Sequence, residues 1–141
     1  APATQLPDQA WSMFDYITPN RTEAPVLLGL PADHGLTPEE LVAKMRTKTN
    51  AKIIMTLGSQ GCLVDDGSQV FAVPAFGTDK VVDTTGAGDS FTSAFAVAIG
   101  EGRELHEAIR FAAASGAHSV GIAGVIDSLP RREDIERKLA Q

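Results

Sequence analysis

The sequence predicts an α/β fold in which helices cover the faces of a mostly parallel sheet, and three features predict it. Segments rich in β-branched residues alternate with segments of helical apolar spacing along the chain. Lys52 to Leu57, KIIMTL, is a short apolar run bounded by Gly58, the pattern of a buried strand in a parallel sheet. After it, β-rich segments flank Asp66-Gly67 within GCLVDDGSQVFAVPAF, which is a hairpin signal.

The elements follow in order. Asp8 to Phe14, behind Pro7, predicts a short helix, and YITPN a brief buried strand ending at Pro19. Asn20 opens another helix, because Glu23 stands three residues on, at the spacing of a capping box, and that helix ends near Gly29. Thr37 caps the next, with Pro38 at its first position and Leu41, Val42 and Met45 on one side. The KIIMTL strand and the hairpin come next, and Lys80 to Asp83 is a brief extended piece. From Asp89 to about Ile99, Phe91, Phe95, Ala98 and Ile99 fall at helical spacing, and Gly100 and Gly102 stop the helix. Leu105, Ala108, Ile109, Ala112 and Gly116 mark a helix whose small residues predict close packing; GIAGVIDSLP is a loop, and Pro130 to Leu139 a closing helix.

Composition narrows the function. The 141 residues, 43% hydrophobic and 21% charged, suffice for one domain with a core. A formal net charge of −6, with 12 scattered Lys and Arg, offers no footprint for a phosphate backbone, so nucleic acid is not an expected partner. No apolar run reaches the roughly 18 residues of a membrane span, and no signal peptide opens the chain, which reads as cytoplasmic. The lone Cys62 cannot form an intrachain disulfide and reads as a buried, inert thiol; His34, His106 and His118 do not have metal-ligand spacing.

The chemistry concentrates in VVDTTGAGDSF, Val81 to Phe91. A turn ending in Gly86-Ala87-Gly88 leaves backbone N–H groups at a helix start free to hold an anion such as a phosphoryl oxygen. A carboxylate at Asp89, beside such a hole, can accept a proton from a substrate hydroxyl while the hole holds the charge of the transferred group. The same stretch also reads as a plain helix start, with Asp89 a first-turn acid worth about 0.3–1 kcal/mol. Asn20 and Glu23 read equally as a plain capping box, and TLGSQG, Thr56 to Gly61, as a strand-to-turn exit.

Taken together, DTTGAGDSFTSAF, ITPNRTEA, TLGSQG and the closing SLPRREDIERKL occur in the order of the landmarks of the ribokinase, or PfkB, family of carbohydrate kinases, which the chain resembles over nearly its whole length. The resemblance implies a three-layer ribokinase-like fold, present here as its C-terminal, nucleotide-binding half without the sugar-binding half and the β lid; APATQLPDQAW, with no Met, likewise reads as a connection inside a longer protein. It implies Asp89 as catalytic base on the sugar hydroxyl and Gly86, Ala87 and Gly88 as the anion hole. Thr56, Leu57, Gly58, Ser59, Gln60 and Gly61 would form the loop that holds ATP, with Asn20 and Glu23 near its phosphates and Mg2+ through water. Asp83 and Thr85 match a K+ site whose other side falls at Gly124 and Ser128, with backbone carbonyls near Ser119 and Ile122. A cation beneath the hole would strengthen its positive field.

Two residues depart from the family pattern. Pro25 lies in the first turns of the Asn20 helix, and Ala113 stands where many ribokinases carry a polar residue beside the adenine. The implied activity is ATP-dependent phosphorylation of a primary hydroxyl on a small sugar, ribose first, in a homodimeric enzyme. Fructose or 2-keto-3-deoxygluconate as acceptor, and a nucleotide-binding module without turnover, are the alternatives. A Gly-x-Gly-Asp intramembrane protease would need membrane helices that the sequence lacks.

Overall fold

The computed structural model describes residues 3–77, 81–124 and 126–140. They fall into two compact units: the residues up to Gly58 with Cys62–Ala72, and Ser59–Gly61 with the residues from Val73 onward.

The first unit holds the sheet, in the order β1 (Tyr16–Ile17), β2 (Lys52–Thr56), β3 (Cys62–Asp65), β4 (Val70–Val73), whose last residue belongs to the second unit. β2 pairs parallel with β1, Ile17 opposite Ile53, and antiparallel with β3, Thr56 opposite Cys62. The apolar run is therefore parallel on one side only, because the chain reverses through Leu57 to Gly61 and brings β3 back antiparallel beside β2, while the Asp66-Gly67 turn joins β3 to β4. Asp66 Oδ1 accepts the N–H groups of Ser68 and Gln69 there, and Gly67 takes a φ of +93°.

Helices α1 (Glu23–Leu27) and α2 (Pro38–Arg46) complete this unit. Thr37 Oγ1 accepts from Glu40 N, and Glu40 Oε2 from Thr37 N, closing a capping box ahead of Pro38. Leu41, Val42 and Met45 reach a core of Trp11, Ile17, Ile53, Met55 and Leu63. Burying side chains of this size stabilises by about 1.5–3 kcal/mol each.

Three boundaries in this unit differ from expectation. Asp8–Ser12 is a 3-10 turn that stops short of Phe14, because only Trp11 is buried while Met13 and Phe14 are exposed. The YITPN strand ends at Ile17, since Pro19 has no N–H to give the ladder. α1 is short, and Pro25 is tolerated as its third residue because first-turn N–H groups have no intrahelical acceptor.

The second unit is built on α3 (Ala87–Gly100), α4 (Leu105–Ser119) and α5 (Arg132–Leu139). Ala94, Ala98, Ala108, Ala112 and Ala114 are buried, and a Cβ on Gly116 would sit 3.3 Å from the Ala87 carbonyl, so small residues do let α3 and α4 approach closely. Phe91 and Phe95 stack at 6.4 Å, and Arg103 and Arg132 lie over the Phe111 ring. α5 starts at Arg132, where Asp134 Oδ2 accepts the N–H of Arg131.

α3 starts two residues ahead of Asp89, so the glycine turn is itself the helix entry. Val81–Asp83 forms no strand, and Lys80 lies outside the described residues.

Candidate functional site

In the first unit, Asn20 and Glu23 stand where β1 gives way to α1. Asn20 Oδ1 accepts from the backbone N–H groups of Thr22 and Glu23 and from Thr22 Oγ1, while Glu23 Oε2 accepts from Asn20 N. The pair is thus a working cap. That cap leaves the two amide hydrogens of Asn20 as donors and Glu23 Oε1 as an acceptor, the groups that a phosphate and a hydrated cation need.

Thr56, at the end of β2, bridges to Asn20, and its N–H donates to Pro19 O at 2.9 Å. Two stretches 36 residues apart in sequence meet at the carboxyl ends of neighbouring parallel strands, where open α/β sheets place their ligands. Leu57 packs against the first core, and Gly58 turns the chain at φ +60° into a 3-10 turn whose Ser59 and Gln60 are exposed. Gly61 is buried at φ +89°, and a Cβ there would stand 2.0 Å from the Val73 carbonyl.

In the second unit, Gly86 caps α3 at φ +80°, a conformation that favours glycine. Ala87 N donates to Thr84 O at 3.3 Å and Ser90 N to Gly86 O at 2.8 Å, and between them the N–H groups of Gly88 and Asp89 find no acceptor among the described residues. Both residues are exposed, and a Cβ on Gly88 would meet nothing within 4 Å. Two free donors, the positive end of a fourteen-residue helix and an exposed carboxylate therefore share one place.

Behind this turn, Asp83 Oδ1 accepts from Thr85 N at 2.9 Å and Oδ2 from Gly124 N at 3.4 Å. The Thr85 N–H, then the Thr85 side chain and the Gly124 N–H, hold the Asp83 carboxyl below the usual carboxylate range. The carbonyl that meets this segment is that of Val120, which accepts from both Val82 N and Asp83 N. Ser119 O, one residue earlier, accepts from Ile122 N. Ile122 and Gly124 are exposed, Gly124 at φ +88°, whereas Ser128 is buried, as is Ala113 within α4. One ionised carboxylate among backbone carbonyls is a donor set that suits a weakly hydrated monovalent cation. No group of three or more His, Cys, Asp or Glu side chains converges among the described residues.

Three serine hydroxyls meet here, of which Ser90 and Ser115 carried no expectation and Ser119 was expected to act only through its carbonyl. Ser90, Ser115 and Ser119 are buried, with Ser90 Oγ 2.7 Å from Ser115 Oγ and 2.9 Å from Ser119 Oγ, and Ser119 Oγ donates to Ser128 O at 3.0 Å. The i, i+4 spacing of Ser115 and Ser119 puts both on one helix face and was the available signal. Nothing local marks Ser90 as their partner.

A polar cleft of about 250 Å³ at the other end of β2 is lined in part by Arg46, Lys48 and Asn50. Its cations are spent in ion pairs, Arg46 with Asp65 and Lys48 with Asp8. No helix among the described residues is long and apolar enough to cross a membrane.

Residues 1–132 match the model of the pfkB family of carbohydrate kinases. The ribokinase of Bacillus subtilis is 36% identical over 140 residues, covering 99% of this chain and 44% of that protein. The structure of Arabidopsis thaliana ribokinase complexed with ribose and ATP superposes with a TM-score of 0.84 at 36% identity, over 96% of this chain and 44% of that one. The ribokinase of Thermotoga maritima gives 0.86 at 34% identity, over 96% and 46%. The chain thus spans less than half the length of these relatives and shares their α/β fold.

Proposed function

Because this chain belongs to the pfkB family of carbohydrate kinases, we propose that it carries the nucleotide-binding and catalytic-base residues of an ATP-dependent ribokinase, which transfers the γ-phosphoryl group of ATP to the primary hydroxyl of ribose. The observation that carries this reading is the entry to α3, where the unpartnered N–H groups of Gly88 and Asp89 stand beside the exposed Asp89 carboxylate. Ribose as acceptor is supported by relatives named ribokinase and by the Arabidopsis structure with ribose and ATP.

Phosphoryl transfer asks little covalent chemistry of a protein, so the work falls to position and charge. The helix entry holds the equatorial oxygens of the moving group through its N–H donors. Asp89 accepts the proton of the sugar hydroxyl as the bond from oxygen to phosphorus forms, since the hydroxyl is too weak an acid to lose it earlier. The amide of Asn20 and the free oxygen of Glu23 hold water around the phosphates, and Thr56 to Gly61 line the nucleotide. Magnesium, when bound, offsets the phosphate charge. An ionised Asp83, with Thr85, Gly124, Ser128 and the backbone carbonyls near Ser119 and Ile122, would hold K+, whose charge would strengthen the positive field of the helix entry. Alanine at position 113 gives adenine an apolar neighbour in place of a hydrogen-bonding one. The family resemblance supports a cytoplasmic homodimer.

Asp89→Asn tests this directly in the protein that bears the chain. The expected result is a loss of ribose-dependent ADP formation of about 10²–10⁴-fold, with ATP affinity within twofold. Full activity in this variant sinks the mechanism. ATP binding without turnover of ribose or another sugar in the unsubstituted protein identifies a binding module instead.

A further inference from the structure

We propose that Ser90, Ser115 and Ser119, anchored on the Ser128 carbonyl, form a positioning device that ties the cation-side segment 120–128 to the helix entry bearing Asp89; the inference rests on the kinase reading given above. All four residues are at most 2% exposed. Ser119 Oγ is placed to donate to Ser90 Oγ at 2.9 Å, to the Ser128 carbonyl at 3.0 Å and to the Ser115 carbonyl at 3.3 Å. Ser90 and Ser115 share a hydroxyl contact at 2.7 Å, and Ser115 Oγ also reaches the Ser90 carbonyl at 3.3 Å. Every hydroxyl proton in the cluster has an acceptor within reach, and the acceptors for Ser115 and Ser119 include backbone carbonyls whose lone pairs cannot rotate away.

Packing alone does not account for the hydroxyls. Elsewhere α3 and α4 meet through Ala94, Ala98, Ala108 and Ala112, and alanine at the three serine positions would fill nearly the same volume. What hydroxyls add is direction, since a satisfied buried network specifies one arrangement of the elements it joins. The elements joined here are the residue next to Asp89, the last turn of α4 and the end of the 120–128 segment.

That segment is held to the helix entry at three points, the first being Val120 O, which accepts from Val82 N and Asp83 N. Gly124 N–H reaches the Asp83 carboxylate at 3.4 Å, and Ser128 O accepts from Ser119, which contacts Ser90. Ser90 N in turn donates to the carbonyl of Gly86, the cap of α3. A displacement of the segment on cation binding therefore reaches the Gly86 turn from both sides. The serines touch no substrate and act only through the placement of Asp89.

Ser119→Ala tests the device in the protein that bears this chain, with the exposed Ser93→Ala as control. We expect amide exchange at Ser90 about tenfold faster, kcat with ribose and ATP about tenfold lower, KM for ATP within twofold, and a half-activating K+ concentration raised about fivefold, at the lower end of ordinary coupling between sites. A merely structural serine would lower the melting temperature while leaving the KM-against-kcat split and the K+ response of the folded protein unchanged. A folded Ser119→Ala protein with Ser90 exchange, kcat and K+ response like those of the control overturns the inference. Should Ser119→Ala not fold, Ser115→Ala, which removes the contact to Ser90 and leaves Ser119 bonded to Ser90 and to the Ser128 carbonyl, is expected to shift the same quantities in the same direction by a smaller factor, and no shift overturns it. If the unsubstituted protein does not phosphorylate ribose, the kinase reading falls, and exchange at Ser90 alone decides for or against the coupling.

Discussion

Arg46 and Asp65 form a two-pronged ion pair, Nε to Oδ2 and a terminal nitrogen to Oδ1, each at 2.9 Å, that ties the last turn of α2 to the end of β3. The guanidinium also donates to the carbonyls of Thr49 and Asp65, and Asp65 Oδ1 accepts from Gly67 N, so the carboxylate finds its partners as it loses its water. Burial pushes the Asp65 carboxyl up, and the Arg46 hydrogen bonds, the Gly67 N–H and the Arg46 charge together outweigh it and hold the group below the usual range.

A lowered folded-state value means stability that is present above the ordinary carboxylate range and lost as pH falls through the folded value. Thermal melts from pH 7 to pH 3 are expected to show this loss, and Asp65→Asn to flatten it. Arg46→Ala, which leaves Asp65 buried and unpaired, is expected to cost about 3 kcal/mol in denaturant unfolding at pH 7. A cost at pH 7 no larger than that of an exposed substitution would show the pair to be dispensable.

Gly61→Ala is expected to be among the most damaging single substitutions in the chain, at about 3 kcal/mol or more. Two effects combine, a φ of +89° and a Cβ 2.0 Å from the Val73 carbonyl, and backbone rather than a flexible side chain would have to move. Gly58→Ala has φ +60° but open space, so it is expected to cost about 1 kcal/mol. Urea unfolding of the two variants separates strain from collision.

Asp83→Asn is expected to abolish activation by K+ while leaving the fold within about 1 kcal/mol, since the carboxylate is exposed and accepts its hydrogen bonds through atoms that an amide partly keeps. Rates measured in K+, Na+ and tetramethylammonium check it. A rate in the unsubstituted protein that is the same in all three salts removes the cation role of Asp83 and Thr85.

Determinants that are local are legible in the sequence. The Thr37-Pro38 entry, the Asp66-Gly67 turn and the end of α3 are each written within a few consecutive residues, and each stands as expected. The Phe14 limit failed because a helix needs buried anchors as well as a starting proline, and only Trp11 supplies one. The Arg46–Asp65 pair and the Ser90–Ser119 contact join residues 19 and 29 apart, and no periodicity announces a partner on another element. Burial raises the Cys62 thiol to about 12, which agrees with the inert role read from its apolar neighbours.

Asp89 is the third residue of α3, counted from Ala87 after the Gly86 cap. Each residue of an α-helix advances the side-chain direction by about 100°, so the bearing of this carboxylate is set by where the helix begins as much as by which residue occupies the position. Lengthening or shortening the glycine turn by a single residue would swing the acid around the helix axis without altering its chemistry. The number of residues in the turn is therefore a requirement of its own, beside the glycine that Gly86 supplies at φ +80°.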